Sequence, residues 1–426
     1  MFRLTLRQPD GETFGLILDI HGGKLMDQEG RRIDLSPLGA AYLDGGRFAV
    51  APSTSPIQVA PKSRRVERLR LQLGLKCNFA CSYCMQAADR DGDIRTSGTA
   101  EGFLAGLDWL DGAPGEIEFW GGEPLAYWKI LKPLAEGLRT RFPEAVFKLI
   151  TNGSLLDKAK VDWLDRLGFV VSISHDGPGQ HQRGPDPFED PEAAEAIRLL
   201  FRTLGSGRCS FLSVLTMAHH SPAALVAYFV DRVGEDVQVS IEGMVTPHDV
   251  AGILMSPMSE GDHRRVRRTL FDEFRMPSVF HRNLVLSPLQ SLLRQFATGM
   301  PSEARGQNCG MDRPGHLAVT LGGQALVCQN VNQDKVIGNV HDFDSIRLTH
   351  STSWHHRPEC HACPVLATCG GSCMMVEGME RKVACDNAFS LGLARLALLL
   401  NVLTGAELLR IEGERIRFPG ITHIDF

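Results

Sequence analysis

Between residues 67 and 275 the chain alternates short apolar runs with longer amphipathic ones. The runs at 67–73 (ERLRLQL), 116–119 (EIEF), 146–150 (VFKLI), 169–174 (FVVSIS), 210–216 (SFLSVLT) and 237–241 (VQVSI) have the length and composition of strands. The stretches between them, around 99–111, 127–141, 155–167, 189–204 and 221–234, with another near 260–273, read as helices. Such alternation predicts a parallel sheet with helices outside it. Six strand–helix units are two short of a full eight-fold barrel, so the expected fold is α/β, a partial (β/α)6 TIM-like barrel. In such a sheet the working residues lie at the C-terminal ends of the strands.

The flanks follow another pattern. Residues 1–66 give short strands and turns (FRLTLR, a PDGE turn, FGLILDI, an HGG turn, KLMDQEGRRIDL), then a linker-like PSTSPIQVAPKS at 52–63. This predicts a small β-rich N-terminal cap, without the helices a winged-helix peptide-binding module would need. After the barrel segment, 67–299, cysteines, glycines and turns dominate from 300 to 390. So few continuous apolar runs call for staples, which metal clusters could supply. An apolar helix is expected near 388–404, and 391–426 is read as the end of that helix and a polar tail.

Composition narrows the function. With 426 residues, 43% apolar, 22% charged and a net charge of −5, the chain resembles an ordinary soluble protein. Its densest basic run, HRRVRR at 263–268, reads as a solvated helix face rather than a nucleic-acid footprint. The N-terminus carries charges where a signal peptide needs an apolar core. The stretch LGLARLALLLNVLTG reads as too short to span a bilayer and contains Arg395. A cytoplasmic enzyme with no nucleic-acid or membrane partner is expected. In that compartment disulfides are rare, so eleven cysteines, ten of them in spaced groups, read as metal ligands. The eleventh, Cys209 in RCSFLSVLT, reads as a small buried apolar residue.

Cys77, Cys81 and Cys84 form a CxxxCxxC triplet directly after the first barrel strand. Three thiolates so spaced can hold three corners of a [4Fe-4S] cluster and leave the fourth iron open to a ligand. A zinc site is the competing reading, but zinc usually takes four ligands and no fourth cysteine or plausible histidine is near. Trp120-Gly121-Gly122-Glu123-Pro124 follows the second strand, Thr151-Asn152-Gly153 the third, and Ser174-His175-Asp176-Gly177-Pro178 the fourth. Each alone would be an ordinary turn; in order, each ending its own strand, they point to one site.

With Tyr83 before the last cysteine, these motifs resemble the radical S-adenosylmethionine (SAM) family. The resemblance implies that SAM chelates the open iron and is reductively cleaved to a 5'-deoxyadenosyl radical that abstracts a substrate hydrogen. It implies that the glycines Gly121 and Gly122 let backbone approach the ligand and that Glu123 meets its ammonium group. It further implies that Asn152 makes a polar contact to SAM and that Ser174 contacts its methionyl or ribose part. Arg183 stands two residues after His181, whereas relatives often carry that arginine four after, so no role is assigned to it.

From Cys309 the spacing runs through Gly323 and Cys328 to Cys360, Cys363, Cys369 and Cys373, and then to Cys385. This resembles the SPASM domain, the auxiliary-cluster module of radical SAM peptide maturases; a zinc ribbon could account for the middle four cysteines but not all seven. The resemblance implies that Cys360, Cys363, Cys369 and Cys385 bind a distal cluster and that Cys309, Cys328 and Cys373 bind a nearer one. Where some relatives supply an eighth cysteine this chain has Glu303, which leaves an open iron or a non-cysteine ligand at the nearer cluster. In the sulfatase-maturing branch an aspartate follows the cysteine matching Cys328. Here Gln329 follows, and a neutral amide cannot take a proton, which argues against formylglycine formation.

The expected function is a radical SAM/SPASM maturase using SAM and three [4Fe-4S] clusters to place an oxidative crosslink (thioether, C–C or C–O) in a ribosomally made peptide or protein. Reduced flavodoxin or ferredoxin is the expected electron donor. The alternatives are maturation of a protein-derived redox cofactor or quinoprotein subunit and, in another class, a non-catalytic iron–sulfur electron carrier. Of the histidines at 175, 181, 219, 220, 355, 356 and 361, the pair His219-His220 reads as a strand-to-helix loop rather than a ligand pair, and His355 and His356 read as surface residues.

Overall fold

A computed structural model describes residues 1–43, 61–87, 98–248, 257–332, 335–348 and 354–426. The linker expected at 52–63 falls outside them except for its last three positions.

Among the described residues, fourteen strands form two sheets. The barrel strands are β4 (Arg68–Gln72), β5 (Glu116–Trp120), β6 (Val146–Thr151), β7 (Phe169–Ser174), β8 (Cys209–Leu215) and β9 (Val239–Met244). Each pairs in parallel with the next. Alternation sets the two faces: in β7, Phe169, Val171 and Ile173 are buried while Val170, Ser172 and Ser174 are partly exposed. The buried set meets the helices, whose boundaries follow from their caps. Asp157, Asp190 and Ser221 each accept a backbone N–H at an N-terminus, and Ser259 and Asp262 form a capping box. The run HRRVRR is not a uniformly solvated face. Arg267 is buried, its Nη2 donating to Glu260 Oε1 (2.6 Å) and to Asp425 O (3.2 Å).

The cysteine-rich region is not a separate block. Its strands β10 (His316–Thr320), β11 (Gln324–Leu326) and β12 (Val336–Asn339) extend the barrel sheet, giving the order β12-β11-β10-β4-β5-β6-β7-β8-β9. β10 lies parallel to β4, His316 opposite Arg68 and Thr320 opposite Gln72.

The N-terminal cap is likewise half of something larger. β1 (Phe2–Arg7), β2 (Thr13–Asp19) and β3 (Lys24–Met26) share a sheet with β13 (Glu407–Gly413) and β14 (His423–Asp425), in the order β14-β13-β1-β2-β3. The expected polar tail is thus two strands, and β13 pairs with β1 through Leu408 and Ile411, which are buried with Leu4 and Leu6. The helix before it runs from Gly378 to Thr404, 27 residues, longer than the expected 388–404. By length and composition it could cross a membrane, but 72% of its apolar window is buried against the rest of the protein.

Candidate active site

Because β4, β5, β6 and β7 are neighbours running the same way, the four loops that leave their C-terminal ends lie side by side. The first carries Cys77, Cys81 and Cys84. Burial pushes the Cys81 thiol up to about 11, opposed by the Arg183 guanidinium and reinforced by Cys84 and Cys77. Cys81 and Cys84 line the same cavity, and Cys77 is near enough to influence Cys81. Phe79 N donates to Cys77 Sγ (3.4 Å) and Gln86 N to Cys84 Sγ (3.3 Å), the hydrogen bonds to sulfur that tune cluster potentials.

The glycine pair packs directly against this loop. Gly122 N donates to Gly74 O (3.0 Å) and Glu123 N to Lys76 O (3.0 Å). A Cβ on Gly122 would stand 2.3 Å from Leu75 O and 2.5 Å from Lys76 O; one on Gly121 would stand 2.9 Å from Gly74 O. Only glycine lets the second loop lie against the cysteine loop. Gly122→Ala is therefore expected to displace the cysteine loop, lowering the iron held at Cys77, Cys81 and Cys84 and costing about 1–3 kcal/mol of stability. Iron per chain after anaerobic reconstitution, with denaturant melts, checks this.

Glu123 is buried, and its carboxylate accepts from Thr151 Oγ1 (2.7 Å), Asn152 N (2.7 Å) and Leu125 N (2.9 Å). It brackets the second loop to the third. Burial raises its pKa, and these donors oppose the shift. Asn152 ties the third loop to the first: its Nδ2 donates to Asn78 Oδ1 (2.9 Å), and Asn78 Nδ2 to Ser154 Oγ (2.8 Å). Tyr83 donates its hydroxyl to Asp176 Oδ2, and Arg183 pairs with Asp176 Oδ1 at 3.0 Å while standing 5.5 Å from the Tyr83 ring centroid. Arg183 and Asp176, given no role by the sequence, are thus part of this site. Ser174 ends β7 on the barrel-facing side.

His175 is a core residue, its Nε2 3.0 Å from Asp186 Oδ1 and its Nδ1 accepting from Gly177 N (2.9 Å). Burial lowers its pKa. His181 lies edge-on to His219, and His355 stacks on Trp354.

The seven C-terminal cysteines fall into two groups. Burial raises the Cys309 thiol and pushes Cys328 up to about 11; Cys373 raises both further, and Cys309 also raises Cys328. The turn that joins these thiols contains Gly323 at φ +80°, where a Cβ would also press on Val340. Cys360, Cys363, Cys369 and Cys385 line a second, much smaller space, which Cys373 also borders. Burial pushes Cys360 up to about 12 and Cys369 up to about 11, with Cys385 raising both. Arg357, Arg381 and Arg417 stand around this group, where they would offset the charge of ionised sulfurs. Among the described residues no three His, Cys, Asp or Glu side chains converge closely enough to hold one metal ion. The thiols stand around spaces instead, which fits a cluster whose corners lie apart. Glu303 is exposed on a short turn.

An open cavity of about 1200 Å³ joins the two regions. Tyr83, Cys81, Cys84 and Arg183 line one side, Cys309, Cys328 and Cys373 another. Between them Asn330 Oδ1 accepts from Trp120 Nε1 (2.7 Å) and from Gln86 Nε2 (3.3 Å).

This geometry agrees with what the chain is similar to. Residues 71–215 match the Radical SAM superfamily. The chain is a radical SAM enzyme. Among solved structures, "Native anSMEcpe with bound AdoMet" is 18% identical, with a TM-score of 0.56, covering 79% of this chain and 99% of that one. The same protein "with bound AdoMet and Cp18Cys peptide" is 19% identical, with a TM-score of 0.52 and the same coverage. A third, "with bound AdoMet and Kp18Cys peptide", is 20% identical with a TM-score of 0.51, again covering 79% and 99%. At this identity the likeness shows the shared fold. No curated protein matches the chain.

Proposed function

We propose that this chain is a cytoplasmic maturase that oxidatively crosslinks a ribosomally made peptide or protein, through a thioether, C–C or C–O bond. The observation that carries this reading is the cavity between the two sets of thiols, large enough for a peptide segment and bordered by both. The peptides in the anSMEcpe structures support it by likeness of fold. SAM, once bound and given an electron by flavodoxin or ferredoxin, supplies the hydrogen-atom acceptor such chemistry requires.

The residues of the chain provide the rest. Cys77, Cys81 and Cys84 hold the SAM-binding cluster. Cys360, Cys363, Cys369 and Cys385 hold a distal [4Fe-4S] cluster, and Cys309, Cys328 and Cys373 a nearer one. Glu123, with three acceptor directions already used, keeps one for the SAM ammonium group. Asn152 and Ser174, at the ends of β6 and β7, stand where SAM would pass, and Tyr83 beside it. The Asn330 amide, held by Trp120 and Gln86, closes the wall between the thiol sets.

The test is anaerobic reconstitution followed by SAM and dithionite, and co-expression with short peptides encoded beside the gene. Formation of 5'-deoxyadenosine with a peptide lighter by two hydrogens is expected. Iron binding without 5'-deoxyadenosine would instead leave an electron carrier.

A further inference from the structure

Three carboxylates line the large cavity among the described residues: Glu118, Glu242 and Glu380. Two have partners, Glu118 with Arg70 Nε at 2.7 Å and Glu380 with the His248 ring, whose Nε2 lies 3.5 Å away. Glu242 has neither an ion pair nor a hydrogen bond among the described residues. Its backbone is also unusual. In the β8–β9 ladder Ser213 faces Ile241 while Val214 faces Gly243, so Glu242 is the extra residue of a β-bulge. Bulges re-aim side chains and are frequent beside active sites. This one presents a carboxylate to the cavity from a strand whose Val239 and Ile241 are buried.

We propose that Glu242 accepts the proton released when the substrate radical is oxidised to product, and so is a catalytic residue. The inference rests on the maturase reading above. Joining two substrate atoms removes two hydrogens. The first leaves its carbon as a hydrogen atom, taken by the SAM-derived acceptor to give 5'-deoxyadenosine. The second leaves the bonding partner as a proton, and the matching electron goes to an oxidised iron–sulfur cluster held by the C-terminal thiols. The proton needs a base. Gln329 and Asn330, beside Cys328, are neutral amides and cannot serve.

The surroundings suit the role. Although its side chain is exposed to the cavity, Glu242 lies deep enough in the protein that desolvation raises its pKa, with Asp176 on the loop after β7 and Glu118 on β5 raising it further and Arg183 opposing them. From the two helices packed on β9, Arg294 and Glu380 line the same cavity, while Arg395 Nη2 donates to Ile241 O (3.3 Å) instead. A carboxylate moved toward neutrality is the more effective base there.

Glu242→Gln and Glu242→Asp test this with the cluster-loaded protein and the peptide found to lose two hydrogens on co-expression. Both variants are expected to retain 5'-deoxyadenosine formation while losing its coupling to product. Crosslinked peptide should fall at least about 100-fold in the Gln variant and recover in part in the Asp variant. Wild-type product formation should fall as the pH drops through the raised pKa of Glu242, with 5'-deoxyadenosine unaffected. In infrared difference spectra of the substrate-free, cluster-loaded protein, a protonated-carboxyl band that disappears as pH rises should be present in wild type and missing from the Gln variant. Wild-type product yield from the Gln variant, or an unchanged band, overturns the proposal. Absence of 5'-deoxyadenosine from wild-type protein would instead sink the enzyme reading.

Discussion

Replacing Cys77, Cys81 and Cys84 with alanine is expected to abolish SAM cleavage while leaving the C-terminal iron in place. The two thiol sets sit on different elements, the first on the loop after β4 and the second on the loop before β10, the β10–β12 meander and the segment from Cys360 to Cys385. Emptying one therefore need not dismantle the other. A substitution set that removes the open iron removes the step that generates the oxidant, so activity should fall by at least about six orders of magnitude, the low end of what enzymes supply. About four irons per chain should go with it, one cluster's worth. Iron analysis and 5'-deoxyadenosine formation read the two effects separately. Residual SAM cleavage in the triple variant would remove the basis for placing the chemistry at this loop.

Arg70→Met is expected to destabilise the protein by about 3–5 kcal/mol, because it strands a buried charge. Arg70 Nε donates to Glu118 Oε2 at 2.7 Å, and the two side chains are only 9% and 10% exposed. Arg70 Nη1 reaches further, to Met311 Sδ (3.0 Å), Cys309 O (3.4 Å) and Gln329 Oε1 (3.4 Å). One guanidinium thus fastens the barrel interior to both segments that flank the nearer thiols. The single variant should also lose iron from the Cys309, Cys328 and Cys373 group. The double variant Arg70→Met/Glu118→Gln should recover much of the stability but not the iron, since the Met311 and Gln329 contacts stay broken. Chemical denaturation with iron analysis distinguishes the two losses; equal stability of single and double variants would contradict the charge argument.

Much of this was legible along the chain. Five of the six barrel strands announce themselves because each alternates over at least five residues between an apolar face and a barrel-facing one; β9 does so only as far as its bulge at Glu242. The motif loops could be placed because each follows such a strand. β11 and β14 are three residues long and carry no periodicity, so only their partners define them. β13 does alternate, but its pairing with β1 spans about four hundred residues of sequence and no local pattern encodes it. The helix Asn283–Thr298 contains Pro288, which interrupts its pattern. At the site, spacing groups the cysteines, but the packing need of the glycines is set by Leu75 O and Lys76 O, carbonyls that no motif displays. Arg183 went unassigned because its meaning lies in the distance to Asp176, not in its offset from His181.

The sheet that joins β1 to β13 bears on biogenesis. One flank of β1 stays bare until residue 413 has left the ribosome, and at 5–20 residues per second that is about 20–80 s after β1 itself. Cys385 precedes β13 in the chain, so every iron ligand has emerged before the last strand can dock. Metal loading during translation would then meet a chain whose first strand still exposes an open edge, the kind of edge that invites aggregation. Cells starved of iron–sulfur assembly factors should accumulate this protein in the insoluble fraction rather than as soluble apoprotein.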